Sequence, residues 1–408
     1  MIPLIPLPAG SKRRQQPDSA RLTAKTFRII LKSFPKRFGN VLAPYRPAKS
    51  HHLLNEAMEE ERMATTLKDI AGKVGVSVTT VSRALGGYDD VAAQTRERVQ
   101  AVATELSYRP NLTARRLRKQ RTDTLGFIMP TFGPRFSDPF FSEFIAGVGN
   151  EAAGHEFDLL VSTHAPDSED ERRAYERATR GGWVDGLLVV RTREDDARIQ
   201  HLHRHKFAFV AFGRVDCDLD FPYVDEDSVA GMRLLVQHFI DLGHRHIGFI
   251  RPPAGLMFGR YRLRGYTETM AANDLRLRPE WIVEGDMTQR GGAEAVERLL
   301  ALEPRPTAII GGNDLMAIGA MNRIQHSGLQ VGRDIAVGGF DDIPLAAYVN
   351  PPLTTLHQPI YDIGRKTCAM LIDIINECTL DNPHQLLTPT LTVRASSGST
   401  VTLGEGGV

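Results

Sequence analysis

The sequence predicts a small three-helix unit followed by an α/β core of two lobes, each built on a parallel sheet. Two observations lead there. Residues 65–106 carry three short apolar stripes at helical spacing, the first two separated by a glycine turn. From Thr124 onward, short β-rich apolar runs alternate with amphipathic segments, and such runs between helices belong to parallel strands covered on both faces. At 408 residues the chain can hold two or three domains.

In the first unit, Leu67, Ile70, Ala71 and Val74 share one helical face. Gly75 supplies the turn, where a positive φ carries no Cβ penalty. Ser77 is placed to cap the next helix, whose apolar stripe is Val78, Val81 and Leu85. Its other face shows Thr79, Thr80, Ser82 and Arg83, a set of hydroxyls and a guanidinium suited to phosphates and base edges. This is the pattern of a helix-turn-helix reader of the DNA major groove, although a two-helix hairpin alone would also fit an ordinary helical pair. A third amphipathic segment near 95–106 closes a small core through Val99, Val102, Ala103 and Leu106. Pro110 then suits the first turn of a further helix. Between 109 and 121, six of thirteen residues are cationic and none is acidic, which fits either a solvated linker or a short helix that orders on DNA.

These segments resemble the DNA-binding headpiece of the lac repressor/galactose repressor family. The resemblance is carried by Leu-Lys-Asp-Ile-Ala, Gly-Val-Ser-x-x-Thr-Val-Ser-Arg-Ala-Leu, Thr-Arg-Glu-Arg-Val and Glu-Leu-x-Tyr-Arg-Pro-Asn, then Ala-Arg-x-Leu, and it runs on over roughly residues 65 to 397. It implies base reading by Val78, Thr79 and Arg83 and phosphate contacts from Ser77, Thr80 and Ser82. Asn111, Arg115 and Leu117 fall in the implied hinge helix, Leu117 as the leucine that wedges into the minor groove and bends the duplex.

Seven strands are expected in the core, at 125–129, 157–161, 186–190, 207–211, 246–250, 307–310 and 335–339. Ligands in such folds bind beyond the carboxyl ends of the strands. The resemblance implies the type I periplasmic-binding-protein fold, in which the chain crosses between lobes three times. The first lobe is placed at about 124–225 and 359–388, the second at about 226–358 and 389–408. The run Leu353-Thr354-Thr355-Leu356-His357-Gln358-Pro359 reads as one crossing and equally as an edge strand.

Strand ends nominate the cleft. Asp138-Pro139-Phe140-Phe141 follows the first strand and opens a helix, with one ring expected in the pocket and one in the core. By resemblance Arg262 is the effector-binding arginine, Asn313 faces the ligand and Asp341 is a ligand-binding aspartate. Asn313-Asp314 also reads as a helix cap, and Arg262 as a surface charge beside Arg260 and Arg264. Asp227-Ser228 resembles the family's inter-lobe Asp-Asn pair with Ser in place of Asn. Arg, Asn and Asp among aromatic rings suit sugar hydroxyls.

The net charge of +1 conceals an asymmetry. Residues 1–62 hold 12 Lys/Arg against 5 Asp/Glu, residues 63–122 hold 11 against 5, and the remainder is −12. A basic front and an acidic body suit a protein that meets DNA with one end. Residues 1–62 are read as a basic extension without periodicity, or as an over-extended start before Met63; residues 63–122 as headpiece and hinge; and residues 123–408 as the effector-binding and dimerisation core. Cys217, Cys368 and Cys378 are too few for a disulfide framework. No apolar run approaches the roughly 20 residues of a membrane span, and the early basic cluster follows the apolar residues, opposite to a secretory signal. A cytoplasmic location is expected. No cofactor is expected, since the sequence carries neither a phosphate-binding Gly-x-x-x-x-Gly-Lys-Ser/Thr loop nor a nucleophile elbow. The histidine pairs around 201–205 and 244–246 lack a convergent ligand set, so no metal is expected either.

The expectation is therefore a non-enzymatic, ligand-responsive transcription regulator: a homodimer on a near-palindromic operator, released by a small sugar. The alternatives are a purine- or metabolite-dependent corepressor type and a transport system's sugar-binding protein. The missing C-terminal leucine heptad argues against a tetramerising helix.

Overall fold

The computed structural model describes residues 65–108, 121–131 and 138–398. The extension 1–62, the start at Met63 and the hinge residues Asn111, Arg115 and Leu117 lie outside the described residues. Contacts divide the chain into two compact units, residues 1–110 and 111–408.

The first unit is three helices: α1 (Leu67–Val74), α2 (Val78–Leu85) and α3 (Ala93–Glu105). Thr66 and Asp69 form a reciprocal capping box that starts α1. Gly75 ends it at φ +78°, its N–H donating to Ala71 O. Ser77 then accepts from Thr80 N and starts α2. Ile70, Ala71, Val74, Val81, Ala84, Val91, Val99 and Ala103 pack between the three helices, with Leu67, Val102 and Leu106 at the margin.

The second unit holds two six-stranded sheets. One contains β1 (Thr124–Pro130), β2 (Asp158–His164), β3 (Gly186–Val190), β4 (Phe209–Phe212), β5 (Tyr223–Glu226) and β11 (His384–Leu387), in the order β11-β5-β4-β3-β1-β2, all parallel. The other contains β6 (Ile247–Arg251), β7 (Ile282–Glu284), β8 (Ala308–Gly311), β9 (Ala336–Asp341), β10 (Thr354–His357) and β12 (Thr390–Thr392). Its order is β12-β10-β9-β8-β6-β7, parallel except for β12.

Helices cover both faces of each sheet, as apolar strands require. On the first sheet, α4 (Pro139–Gly154) and α11 (Ile360–Ile375) bury Phe144, Val148, Ile363 and Leu371 against one face. The other face takes α5 (Glu169–Gly181) and α6 (Ala197–Arg204) through Tyr175, Ile199 and Leu202. On the second sheet, α7 (Ser228–Asp241) and α8 (Met257–Ala272) supply Leu235, Phe239, Tyr266 and Met270. Its opposite face packs α9 (Gln289–Leu300) and α10 (Asp314–His326) through Val296, Leu299, Met316 and Ile324. The chain passes between the sheets three times, after β5, after β10 and after β11. Among the described residues, no helix is long and apolar enough to cross a membrane.

Candidate functional site: an exposed reading helix and an inter-lobe cleft

The second helix of the small unit buries Val81 and Ala84 and leaves Val78, Thr79 and Arg83 exposed, with Thr80 and Ser82 half-buried. The Ser77 hydroxyl caps α2 at Thr80 N and lies 2.8 Å from the Thr80 hydroxyl, so both fix the start of the helix. Val78, which the sequence placed on the apolar stripe as well as among the readers, is on the solvent face with 40 % of its surface exposed. Arg83 pairs with Asp90.

In the core, the carboxyl ends of β3, β4, β5 and β9 line one cavity between the sheets. Its apolar walls are Phe140, Val190, Phe212, Phe258 and Met287. Its polar walls are Asp138, Arg191, Asp225, Glu226, Arg262, Asp341 and Gln358. The free space within is about 40 Å³, room for only one or a few waters.

Two ion pairs, one half-buried and one buried, order the polar wall. Arg191 Nη2 donates to Asp138 Oδ2 at 2.7 Å, and the Arg191 guanidinium lies 4.7 Å above the Phe141 ring. Arg262 donates to Glu226 Oε1 at 2.8 Å and to Gly312 O, with Asp341 Oδ1 at 3.7 Å. Its guanidinium rests 3.5 Å over Phe340 and 4.7 Å from Phe258. Gln358 Nε2 donates to Asp341 Oδ1 at 2.6 Å, while its buried Oε1 has no partner. Two residues of this wall have left-handed backbones, Arg191 at φ +51° and Asp341 at φ +120°. Non-glycine residues held there store strain, and such strain clusters at ligand sites.

Burial dominates the electrostatics. It raises the Asp138 carboxyl despite Arg191, and raises Asp341 well above the usual carboxylate range despite Arg262. Burial and the adjacent Glu226 charge push Asp225 up to about 7, with Arg214 at 3.6 Å partly opposing them. The cavity-facing arginine N–H groups are engaged by the Asp138 and Glu226 carboxylates and the Gly312 carbonyl, while two buried groups, the Arg262 Nε donor and the Gln358 Oε1 acceptor, have no hydrogen-bond partner.

The cavity mouth is bridged on one side. Arg193 and Leu256 form an antiparallel backbone bridge, flanked by Glu194 N to Gly255 O at 3.0 Å and Met257 N to Thr192 O at 2.9 Å. Beside it, the Tyr261 hydroxyl donates to Asp216 Oδ1 at 2.6 Å, and Arg214 lies 4.3 Å over the Tyr261 ring.

Of the six residues nominated from sequence, Asp138, Phe140, Arg262 and Asp341 come together on the cavity wall. Phe141 and Asn313 do not. Phe141 is a core residue under Arg191, which accords with one ring in the pocket and one in the core. Asn313 caps α10: Oδ1 accepts from Met316 N and Nδ2 donates to Met287 O, so both ends of its amide are engaged behind the wall. Arg262 is buried rather than a surface charge. Asp227 caps α7 through Ala230 N and lies outside the cavity lining. Sequence reading missed Arg191, Asp225, Glu226, Phe212, Phe258 and Gln358. Arg191 immediately follows β3, so the strand-end rule that nominated Asp341 would have found it.

Two family models match the chain: bacterial regulatory proteins of the lacI family over residues 66–111, and a periplasmic binding protein-like domain over residues 236–397. The HTH-type transcriptional repressor CytR of Escherichia coli (strain K12) is 33% identical over 340 residues, 83% of this chain and 98% of that protein. The chain belongs to the lacI family of bacterial regulatory proteins. The HTH-type transcriptional regulator AglR of Rhizobium meliloti (strain 1021) is 35% identical over 342 residues, covering 82% of this chain and 95% of the relative. Among solved structures, the transcriptional regulator CelR-cellobiose complex shares 32% identity with a TM-score of 0.64 over 81% of this chain and 99% of its own. The lac repressor dimer bound to operator and the anti-inducer ONPF shares 27% identity with a TM-score of 0.73, over 82% and 100%. As a lacI-family member, the chain has the helix-turn-helix headpiece and periplasmic-binding-protein-like core that the resemblance implied.

Proposed function

We propose that this lacI-family chain is a ligand-responsive repressor: a homodimer that reads a near-palindromic operator with α2 and is released from it when a small sugar enters the inter-lobe cleft. The observation that carries the reading is one chain joining an exposed, hydroxyl- and arginine-bearing helix to a buried cavity of paired charges and rings. Val78, Thr79 and Arg83 are the base readers; Thr80 and Ser82 contact phosphates beside the capping Ser77; and Asn111, Arg115 and Leu117 extend the contact into the minor groove.

In the cleft, Asp341, Asp138 and Arg262 hold hydroxyls while Phe140 stacks on the ring. The unpartnered Gln358 Oε1 and Arg262 Nε favour a ligand whose hydroxyl groups both donate and accept. A phosphate brings negative charge to a wall where four acidic side chains already surround two guanidinium groups that are paired with them, so we propose an unphosphorylated effector. Regulation rather than catalysis, a cytoplasmic location and a dimeric assembly belong to the same reading.

The test is thermal unfolding of the full chain with mono- and disaccharides, sugar phosphates and purines, alongside selection of bound duplexes from a random library. A ligand at a hundred times its dissociation constant stabilises the native state by roughly 2.7 kcal/mol. An unphosphorylated sugar should shift the transition and release selected DNA. A shift with purines alone, or tighter DNA binding on adding the sugar, would replace release by corepression.

A further inference from the structure

The headpiece holds Arg83 in a way that the α2 sequence alone does not specify. Beyond Leu85 the chain runs Gly86-Gly87-Tyr88-Asp89-Asp90. A Cβ on Gly86 would lie 2.9 Å from the Tyr88 ring, and Gly87 has φ +76°, so both glycines permit the tight return of the chain. Tyr88 N donates to Arg83 O at 3.1 Å, closing that return. Two groups then meet the Arg83 side chain. The Tyr88 ring lies 5.3 Å from its guanidinium carbon. The Asp90 carboxylate accepts from Nε at 3.1 Å and lies 2.5 Å from Nη2.

We propose that Asp90 is the positioning residue that makes Arg83 selective for guanine. A guanidinium has five N–H groups in a planar fork. Asp90 occupies the side edge, formed by Nε and Nη2. The end edge, Nη1 with the second hydrogen of Nη2, is left to point away from the carboxylate. That edge matches the O6 and N7 acceptors of guanine, the commonest bidentate contact in the major groove. A free arginine on an exposed helix samples many rotamers and bonds any phosphate within reach. Held between Asp90 and Tyr88, its reach is confined to one base position. The carboxylate also disfavours a phosphate at the same place, so nonspecific contacts gain less from Arg83 than a guanine in register does.

The inference rests on the proposed reading of DNA by α2, and the experiment separates the two. Full-length protein selects bound duplexes from a random library, and relative affinities are then measured for the recovered site and its single-base variants. Wild type, Arg83→Ala, Asp90→Asn and Asp89→Asn are compared at one salt concentration. Asp89→Asn removes an equal charge from the neighbouring residue and controls for the general electrostatic term.

Arg83→Ala should erase the preference for guanine at one half-site position. Asp90→Asn should lower discrimination at that same position by roughly three- to tenfold, a share of what a bidentate arginine contact supplies. Other positions should keep their preferences, which a merely structural role for Asp90 would not achieve. Asp90→Glu should recover part of the loss, and Asp89→Asn should leave the preference at every position as in wild type. If Asp90→Asn keeps full guanine preference where Arg83→Ala loses it, or weakens all positions alike, Asp90 does not position Arg83. If wild type recovers no common site, the DNA-reading assignment itself falls.

Discussion

Asp225 sits at the end of β5 with 4 % of its surface exposed, and its neighbour Glu226 is also buried. With its carboxyl raised to about 7, the folded protein binds a proton near neutrality that an unfolded aspartate has already released. The sign follows: the native state binds more protons than the unfolded one between about pH 4 and 7, so this group lowers stability as pH rises through that window. Asp225→Asn should therefore raise the melting temperature of the ligand-free protein more at pH 8 than at pH 5. A difference on the order of 1–3 kcal/mol between the two pH values is expected. Equal shifts at both would mean that Asp225 titrates normally.

Arg262 is the opposite case. Its removal leaves Glu226 and Asp341 without their buried cation, and such orphaned charges cost about 3–5 kcal/mol. Arg262→Ala should thus lower the denaturation midpoint as well as abolish the effector response. Arg262→Lys keeps the charge but loses the fork over Phe340, and should lose the response with a smaller stability cost. Denaturant titration with effector-dependent DNA release distinguishes the two variants.

At the scale of elements, the pairing of residues 192–194 with 255–257 is a short patch of sheet spanning the cavity mouth. Tyr261 locks it from the side. Tyr261→Phe removes a 2.6 Å hydrogen bond worth about 1 kcal/mol. Hydrogen exchange at the Met257 and Glu194 amides should accelerate roughly fivefold if the patch opens with the lobes. Unchanged exchange would mean that this side of the mouth stays shut during opening.

The elements also show what sequence reading could reach. Long apolar runs such as 125–129 and 186–190 announced their strands, because burial on both faces leaves a continuous signature. The four-residue β5, following Pro222, has no such run, and with it the acids Asp225 and Glu226 went unseen. The edge strands β7 and β12 are three residues each and were missed for the same reason. Phe212 and Phe258 come from opposite lobes, so no local pattern could join them in one cavity. Asn313 shows the converse: its cap role was legible in Asn-Asp before a helix, but which way its amide pointed depended on Met287, distant in sequence.

For the whole molecule, regulation requires DNA and effector to favour different arrangements, and each then alters the other's affinity by one factor. Saturating the protein with its selected operator should weaken sugar binding by the same fold that saturating sugar weakens operator binding. Titration calorimetry in both directions tests this closure; unequal factors would indicate an additional bound species.

The narrowness of the cavity has a consequence in time. A space of about 40 Å³ cannot hold a sugar, so entry must wait for the walls to part. The rate of effector capture should then plateau with rising concentration at the frequency of opening, rather than climb with each collision. A sensor built this way averages its surroundings: brief bursts of metabolite, shorter than the interval between openings, pass without a transcriptional echo.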